Sequence, residues 1–325
     1  MRVKVLVFIA PLLLVALAGA QTPVSPAVSA EELAEAAQLD AEVVNLFGRG
    51  LYDEAAPKAE RVLEIKLKAY GAAHPGVADA QYNVGMIRVG QGRFAEAEAI
   101  LRQALAVYEK TARATDPAPA RVLKGLALVR AKLGHTEEAL TLSLAALAAA
   151  EKIFGPEGKE VADYSRQLAD IYRLKKERGK AETYYLRAIE IWAKTAGRED
   201  ARVEMAVEGV MCMPGVDPRK VGRRIEEVLA AIDPVEGNVL NGKIVSKPQP
   251  EYPVAAKYKH IMGSVVIRVW VDETGIVERL QPVCGDPILA KASVEAARKA
   301  RFSTTLLDGK PVKVSGYITY TFVLQ

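Results

Sequence analysis

The sequence predicts an all-α superhelical repeat domain followed by a small α+β domain of strand, strand, helix, strand (ββαβ) order. Three observations carry that expectation. A 42-residue step recurs in several independent columns of the first two thirds of the chain. Beyond Val239 the apolar period changes from the roughly 3.6 of a helix to the 2 of a strand. Aromatic residues make up only 6% of the 325 residues, and alanine runs such as Ala148-Ala149-Ala150 recur, which favours closely packed helices over a large sheet.

The length suits about two domains. A chain that is 50% hydrophobic and 26% charged folds rather than staying disordered. With 44 basic and 40 acidic side chains the net charge is +4, too balanced for a nucleic-acid binder driven by bulk charge. Two cysteines exclude a disulfide-dense scaffold and a cysteine-rich zinc protein. The three histidines, His74 before Pro75, His135 after Gly134 and His260 in a loop, show no ligand spacing, so neither a metal nor another cofactor is expected. No GxSxG, HExxH, CxxC or P-loop pattern occurs, and the pairs Glu226-Glu227 and Asp272-Glu273 read as solvated groups on a helix and in a turn. Binding is expected, not catalysis.

Residues 1–20 read as a secretory signal peptide. Arg2 and Lys4 precede an apolar run from Val5 to Leu17, and Ala18-Gly19-Ala20 forms a small-x-small cleavage site. The alternative is an uncleaved anchor, but about 13 apolar residues fall short of the roughly 20 that span a bilayer. Cleavage after Ala20 leaves an exported chain with no integral membrane span, and 21–30 is a flexible, proline-bearing lead-in. In an oxidising compartment Cys212 and Cys284 are candidates for a pair. Spacing alone does not bring them together, and two partly buried thiols is the reading adopted.

The repeat array is expected over 31–196. Ala55, Ala97, Ala139 and Ala181 share the 42-residue step, as do Leu63, Leu105, Leu147 and Ile189. Gly50, Gly92 and Gly134 keep it, and so do Val84, Leu126 and Leu168, each followed by a small residue. Each unit holds two helices. In the second unit they run from about Val77 to Val89 and from Phe94 to Lys110, with Gln91-Gly92-Arg93 as the turn. Small residues at fixed columns let two helix axes approach closely. Gly92-Arg93-Phe94-Ala95-Glu96-Ala97-Glu98 with Arg102-Gln103-Ala104-Leu105 resembles a tetratricopeptide repeat, and the long step with His74-Pro75-Gly76-Val77-Ala78 resembles the kinesin-light-chain variety. The first unit lacks the small-residue columns in its leading helix. Thr136 replaces the aromatic of Tyr52 and Phe94, and Lys176 replaces the turn glycine, so units three and four are expected to be less regular. The resemblance implies a right-handed superhelix whose concave groove takes a peptide or partner protein. Candidate groove residues are Asn83, Arg88, Lys124, Arg130, Arg166 and Arg173; ordinary solvated side chains are the other reading of the same set.

Residues 197–238 read as a linker, broken by Met213-Pro214-Gly215 and carrying one amphipathic capping helix from Arg219 to Ile232. In 239–325, Val265, Ile267, Val269 and Val271 alternate with Ser264, Val266, Arg268 and Trp270, and Asp272-Glu273-Thr274-Gly275 turns a hairpin. Asp286-Pro287 starts a helix running to about Arg301, and the last strand alternates from Val312 to Leu324.

Gln249-Pro250-Glu251-Tyr252-Pro253, Val271-Asp272-Glu273-Thr274-Gly275, Ala296-Ala297-Arg298-Lys299-Ala300-Arg301-Phe302 and Gly309-Lys310-Pro311-Val312 resemble the TonB C-terminal domain. The export signal implies a periplasmic location, and the resemblance implies binding of TonB-box segments of outer-membrane receptors, added as a strand along the last strand of the sheet. The implied docking residues are Lys313, Ser315, Tyr317, Thr319, Tyr320 and Thr321, with Gln249 and Tyr252 beside them; pairing of that strand with a second copy into a dimer is the other use of the edge. An adaptor with two protein-binding surfaces is the leading expectation. The alternative is a TonB-like energy transducer with a retained anchor, but residues 1–20 lack the family's anchor histidine and a folded array stands where the family has a proline- and lysine-rich rod. Residues 239–325 carry 12 basic and 7 acidic side chains, a mild excess that suits either acidic partners or contact with the mildly acidic array.

Overall fold

The computed structural model describes residues 28–232, 244–307 and 309–324. The expected signal peptide, the lead-in up to residue 27 and the 233–243 connection lie outside the described residues.

Eight helices form four antiparallel pairs: α1 (Ala30–Gly48) with α2 (Tyr52–Tyr70), α3 (Pro75–Gly90) with α4 (Phe94–Thr111), α5 (Ala118–Lys132) with α6 (Thr136–Phe154), and α7 (Lys159–Leu174) with α8 (Arg178–Ala196). Each helix packs on its predecessor and its successor. The starts are set locally. Ser29 and Glu32 make a reciprocal capping box, and His74 Nδ1 accepts from the Gly76 amide ahead of Pro75. The columns now have partners. Ala55, Ala97, Ala139 and Ala181 are all fully buried, and a Cβ on Gly85 would lie 2.8 Å from Leu101 Cγ. The fourth turn keeps its shape without glycine: Lys176 adopts φ 61°, beside 73°, 74° and 84° at Gly50, Gly92 and Gly134. The fourth unit is therefore as regular at this turn as the others, at the cost of placing a side chain in a left-handed conformation.

The expected linker is more ordered than the lost period implied. A helix that sequence reading missed, α9 (Ala201–Met211), is capped by Asp200 and packs on α8. The capping helix is α10 (Pro218–Ile232), which buries Val221, Ile225 and Leu229 against α8 and α9.

The last segment contains β1 (Ile244–Ser246), α11 (Val254–Tyr258), β2 (Gly263–Val271), β3 (Val277–Cys284), α12 (Pro287–Arg298), β4 (Arg301–Phe302), β5 (Leu306–Leu307), β6 (Lys310–Pro311) and β7 (Val314–Phe322). The main sheet is antiparallel in the order β3-β2-β7, and β2 runs against β7 without a register break from Gly263↔Phe322 to Val271↔Val314. One face packs on α12 through Val265, Ile267, Val269, Ile318, Tyr320 and Phe322. The β2–β3 hairpin closes on Asp272, whose Oδ1 accepts from the Thr274 and Ile276 amides. Gly275 there has φ +88°, and a Cβ would run into the Phe302 carbonyl. Gly275→Ala is expected to destabilise this domain by about 2 kcal/mol. The check is peptide-level amide exchange across β2 and β3, with that of α1–α8 unmoved.

The second face of the sheet differs from expectation. Alternation implied a solvated face, yet Val266 and Arg268 are 1% and 5% exposed. β7 rests on α10, and β3 rests on α9, so the sheet lies between α12 and the end of the array.

Candidate partner-binding surfaces

Strand β7 is paired on one side by β2; among the described residues no strand pairs with its other side. The chain's own 247–253 segment lies nearby. Lys247 Nζ donates to the Thr319 carbonyl at 2.6 Å and stands 4.8 Å from the Tyr320 ring centre. The Tyr252 ring meets Phe322 edge-on at 5.3 Å, and its hydroxyl donates to the Ile261 carbonyl. These contacts place Tyr252 beside the end of β7. Gln249, Lys313 and Thr321 are exposed, and Thr319 is half-buried. Lys313 pairs with Glu278 at 3.0 Å, and the Thr321 hydroxyl meets that of Ser264.

Three of the expected docking side chains point elsewhere. Tyr320 is 1% exposed and packs inward on the domain's core. Ser315 and Tyr317 face the array. Ser315 Oγ lies 3.5 Å from Glu226 Oε1, and a Cβ on Gly222 would lie 2.8 Å from the Tyr317 ring, so α10 approaches this face at glycine distance. Strand periodicity assigned Ser315 and Tyr317 to solvent because it knows nothing of a second layer.

That second layer contains a buried carboxylate. Glu226 is 3% exposed on α10, with Arg198 at 3.5 Å and Arg268 of β2 also facing it. Burial raises its pKa to about 7, against the pull of Arg268, Arg198 and the Ser315 hydroxyl. Sequence reading set Glu226 aside as a solvated helix residue. The cysteines also meet here: Cys212 and Cys284 form a disulfide, Cα atoms 5.5 Å apart, correcting the reading of two separate thiols.

On the array, α3, α5 and α7 share a face. Asp79 accepts from Arg121 at 2.8 Å and from the Tyr108 hydroxyl at 2.7 Å. Arg121 stands over Tyr82 and Lys124 over Tyr164, 4.7 and 4.9 Å from the ring centres. Burial lowers the Lys124 pKa. Asn83 is half-buried on α3. Arg166 pairs with Asp170 at 2.8 Å, and Arg173 with the same carboxylate at 3.6 Å. Arg88 and Arg130 make ion pairs within the array. Arg88 pairs with Glu60 and Glu96, and Arg130 with Glu98 and Glu138. The Arg88–Glu96 and Arg130–Glu138 pairs are one period apart; in the fourth unit Tyr172 and Lys180 take their places, the ammonium 5.2 Å from the ring centre. Tyr82 and Arg121 were missed as surface features, although Asp79, Arg121 and Asp163 share the 42-residue step. Among the described residues no group of three or more His, Cys, Asp or Glu is placed to hold a metal ion.

Comparison with known proteins assigns both parts. Residues 41–110 and 119–194 match the tetratricopeptide repeat family, and residues 248–324 match the Gram-negative bacterial TonB protein C-terminal family. The chain joins tetratricopeptide repeats to a TonB C-terminal domain. Protein TonB of Vibrio cholerae is 32% identical over 84 residues, 25% of this chain and 34% of that protein. The chain thus spans about a third of the length of the curated relative it matches. Among solved structures, kinesin light chain TPR-like repeats of Podosopora anserina align over 63% of this chain and 98% of theirs, at 20% identity and a TM-score of 0.48. BtubC (BKLC) from P. vanneervenii aligns over 64% of this chain and 77% of its own, at 18% identity and a TM-score of 0.41. Tetratricopeptide repeats indicate protein–protein interaction, and the TonB-like domain indicates a link to envelope transport. No helix among the described residues is long and apolar enough to cross a membrane.

Proposed function

We propose that this chain is an exported, periplasmic adaptor that binds partner proteins on two surfaces and catalyses no reaction. An extended segment of one partner, of the kind outer-membrane receptors present, adds as a strand beside β7. A second partner lies on the α3–α5–α7 face, where Asp79, Tyr82, Arg121 and Lys124 offer mixed charge and aromatic surface. The observation that carries this reading is the strand order: β7 ends the sheet, and a strand with one unpaired side offers amide and carbonyl groups that a peptide can complete. Exposed Thr321 and Gln249 flank the edge without serving the core, which makes them suitable reporters. A photo-crosslinking side chain at Thr321 or Gln249 is expected to capture outer-membrane or periplasmic proteins in cells. Capture of nothing, or of only a second copy of this chain, would contradict the adaptor role.

A further inference from the structure

The TonB-like domain meets the array through a disulfide and through a seam that opens into clefts beside it. Cys212 caps the end of α9 and Cys284 ends β3, so the bond joins array to sheet across 72 residues of sequence. Both cysteines are half-buried. They border an open cleft of about 840 Å³, walled by Pro282 and Val283 and bearing Lys291 and Arg298 together with Glu208 and Glu295. A second cleft of about 280 Å³ continues along α9 and β3. Within the seam, Arg268 Nε, Gln281 Oε1 and Tyr317 Oη are buried with no hydrogen-bond partner among the described residues. Each such group weighs against docking. The disulfide crosses this seam at the border of the larger cleft.

We propose that Cys212–Cys284 is a thiol-exchange site, reduced by a dithiol that enters the 840 Å³ cleft, and that its reduction lets the TonB-like domain lift from α9 and α10 and bare the Ser315–Tyr317 face of β7. A thiolate of the dithiol attacks the Cys212 sulfur, the disulfide breaks, and Cys284 leaves as a thiolate. The start of α12, three residues beyond Cys284, favours that leaving group, while the cleft sets Lys291 and Arg298 beside Glu208 and Glu295. The second thiol of the reagent then attacks the mixed disulfide. Both cysteines end as thiols carrying the two hydrogens of the dithiol, which is oxidised to its own disulfide. Oxidised, the chain holds one face of its docking strand against its own helix; reduced, it offers that face to a partner.

The purpose of the latch rests on the proposed strand binding, but its release is read without any partner, so the two fail separately. The test treats the purified full chain with dithiothreitol in native buffer and follows free thiols, helical circular dichroism and peptide-level amide exchange. Two thiols are expected to appear without denaturant while the helical signal is kept. Exchange in α10 and across Ser315–Tyr317 should rise about ten-fold or more, with α1–α8 unchanged. The Cys212→Ser, Cys284→Ser double variant should exchange like the reduced chain with no reductant present. Three results would overturn the proposal: thiols that appear only in denaturant, exchange that ignores both reduction and the double substitution, or collapse of the helical signal on reduction.

Discussion

Trp192→Ala is expected to lower the stability of the helical array by about 3–5 kcal/mol. Trp192 is fully buried on α8 and belongs to the cluster that also contains Val161 of α7 and Val203, Val207 and Val210 of α9. The Arg202 guanidinium lies 5.7 Å from its ring centre. The indole thus fills the space between the last repeat and the helix that carries the seam, and alanine would leave a cavity the size of the ring. Stacked repeats depend on their neighbours, so the loss at this end also weakens the platform for the TonB-like domain. Urea unfolding followed by circular dichroism measures the effect. Tyr258→Ala, at an 85% exposed position, is the control and should shift stability by no more than about 0.5 kcal/mol.

Stability of the docked form should fall as pH rises from about 4.5 to about 7, by an amount on the order of 3 kcal/mol carried by Glu226. The sign follows from proton binding. Glu226 has an ordinary value of 4.5 when exposed and about 7 when buried at the seam. Between those values the docked state holds the proton and the released state does not, so alkali favours release. Below 4.5 both states are protonated and this contribution is at its most favourable; above about 7 it is gone. Asp200 behaves oppositely: bonds from Arg202 hold it near 2, and its contribution is lost only as pH falls from 3.8 through that value. The two windows do not overlap. Stability of the oxidised chain measured across this range should slope downward, and Glu226→Gln should flatten the slope. An unchanged slope in the variant would place the titration elsewhere.

The repeat array was legible because a fixed period writes itself into several columns at once, and buried alanines at Ala55, Ala97, Ala139 and Ala181 are what those columns mean physically. The β2–β3 hairpin, α12 and β7 were legible from alternation and from the Asp286 cap. What stayed hidden lies where the two parts touch. Helix α9 sits beyond the last repeat, so no column marks it, and the Pro214-Gly215 breaker masks that a helix ends just before. Val266 and Trp270 on the nominally polar face of β2 hinted at a covered second face, but alternation alone has no room for another layer. The arginine ion pairs carried a usable signal: Glu96 and Glu138 repeat with Arg88 and Arg130, as a structural pair must. The disulfide had no local signal at a separation of 72 residues.

Strand addition at β7 is the claim on which the functional account rests, and a residue-level map of photo-crosslinks from Thr319 and Thr321 tests it most directly. The account predicts that both positions reach one short extended segment of a single partner, at residues two apart, as neighbours in a β-ladder must. Crosslinks confined to the chain's own 244–253 segment would mean that the edge is already filled from within, and would contradict it.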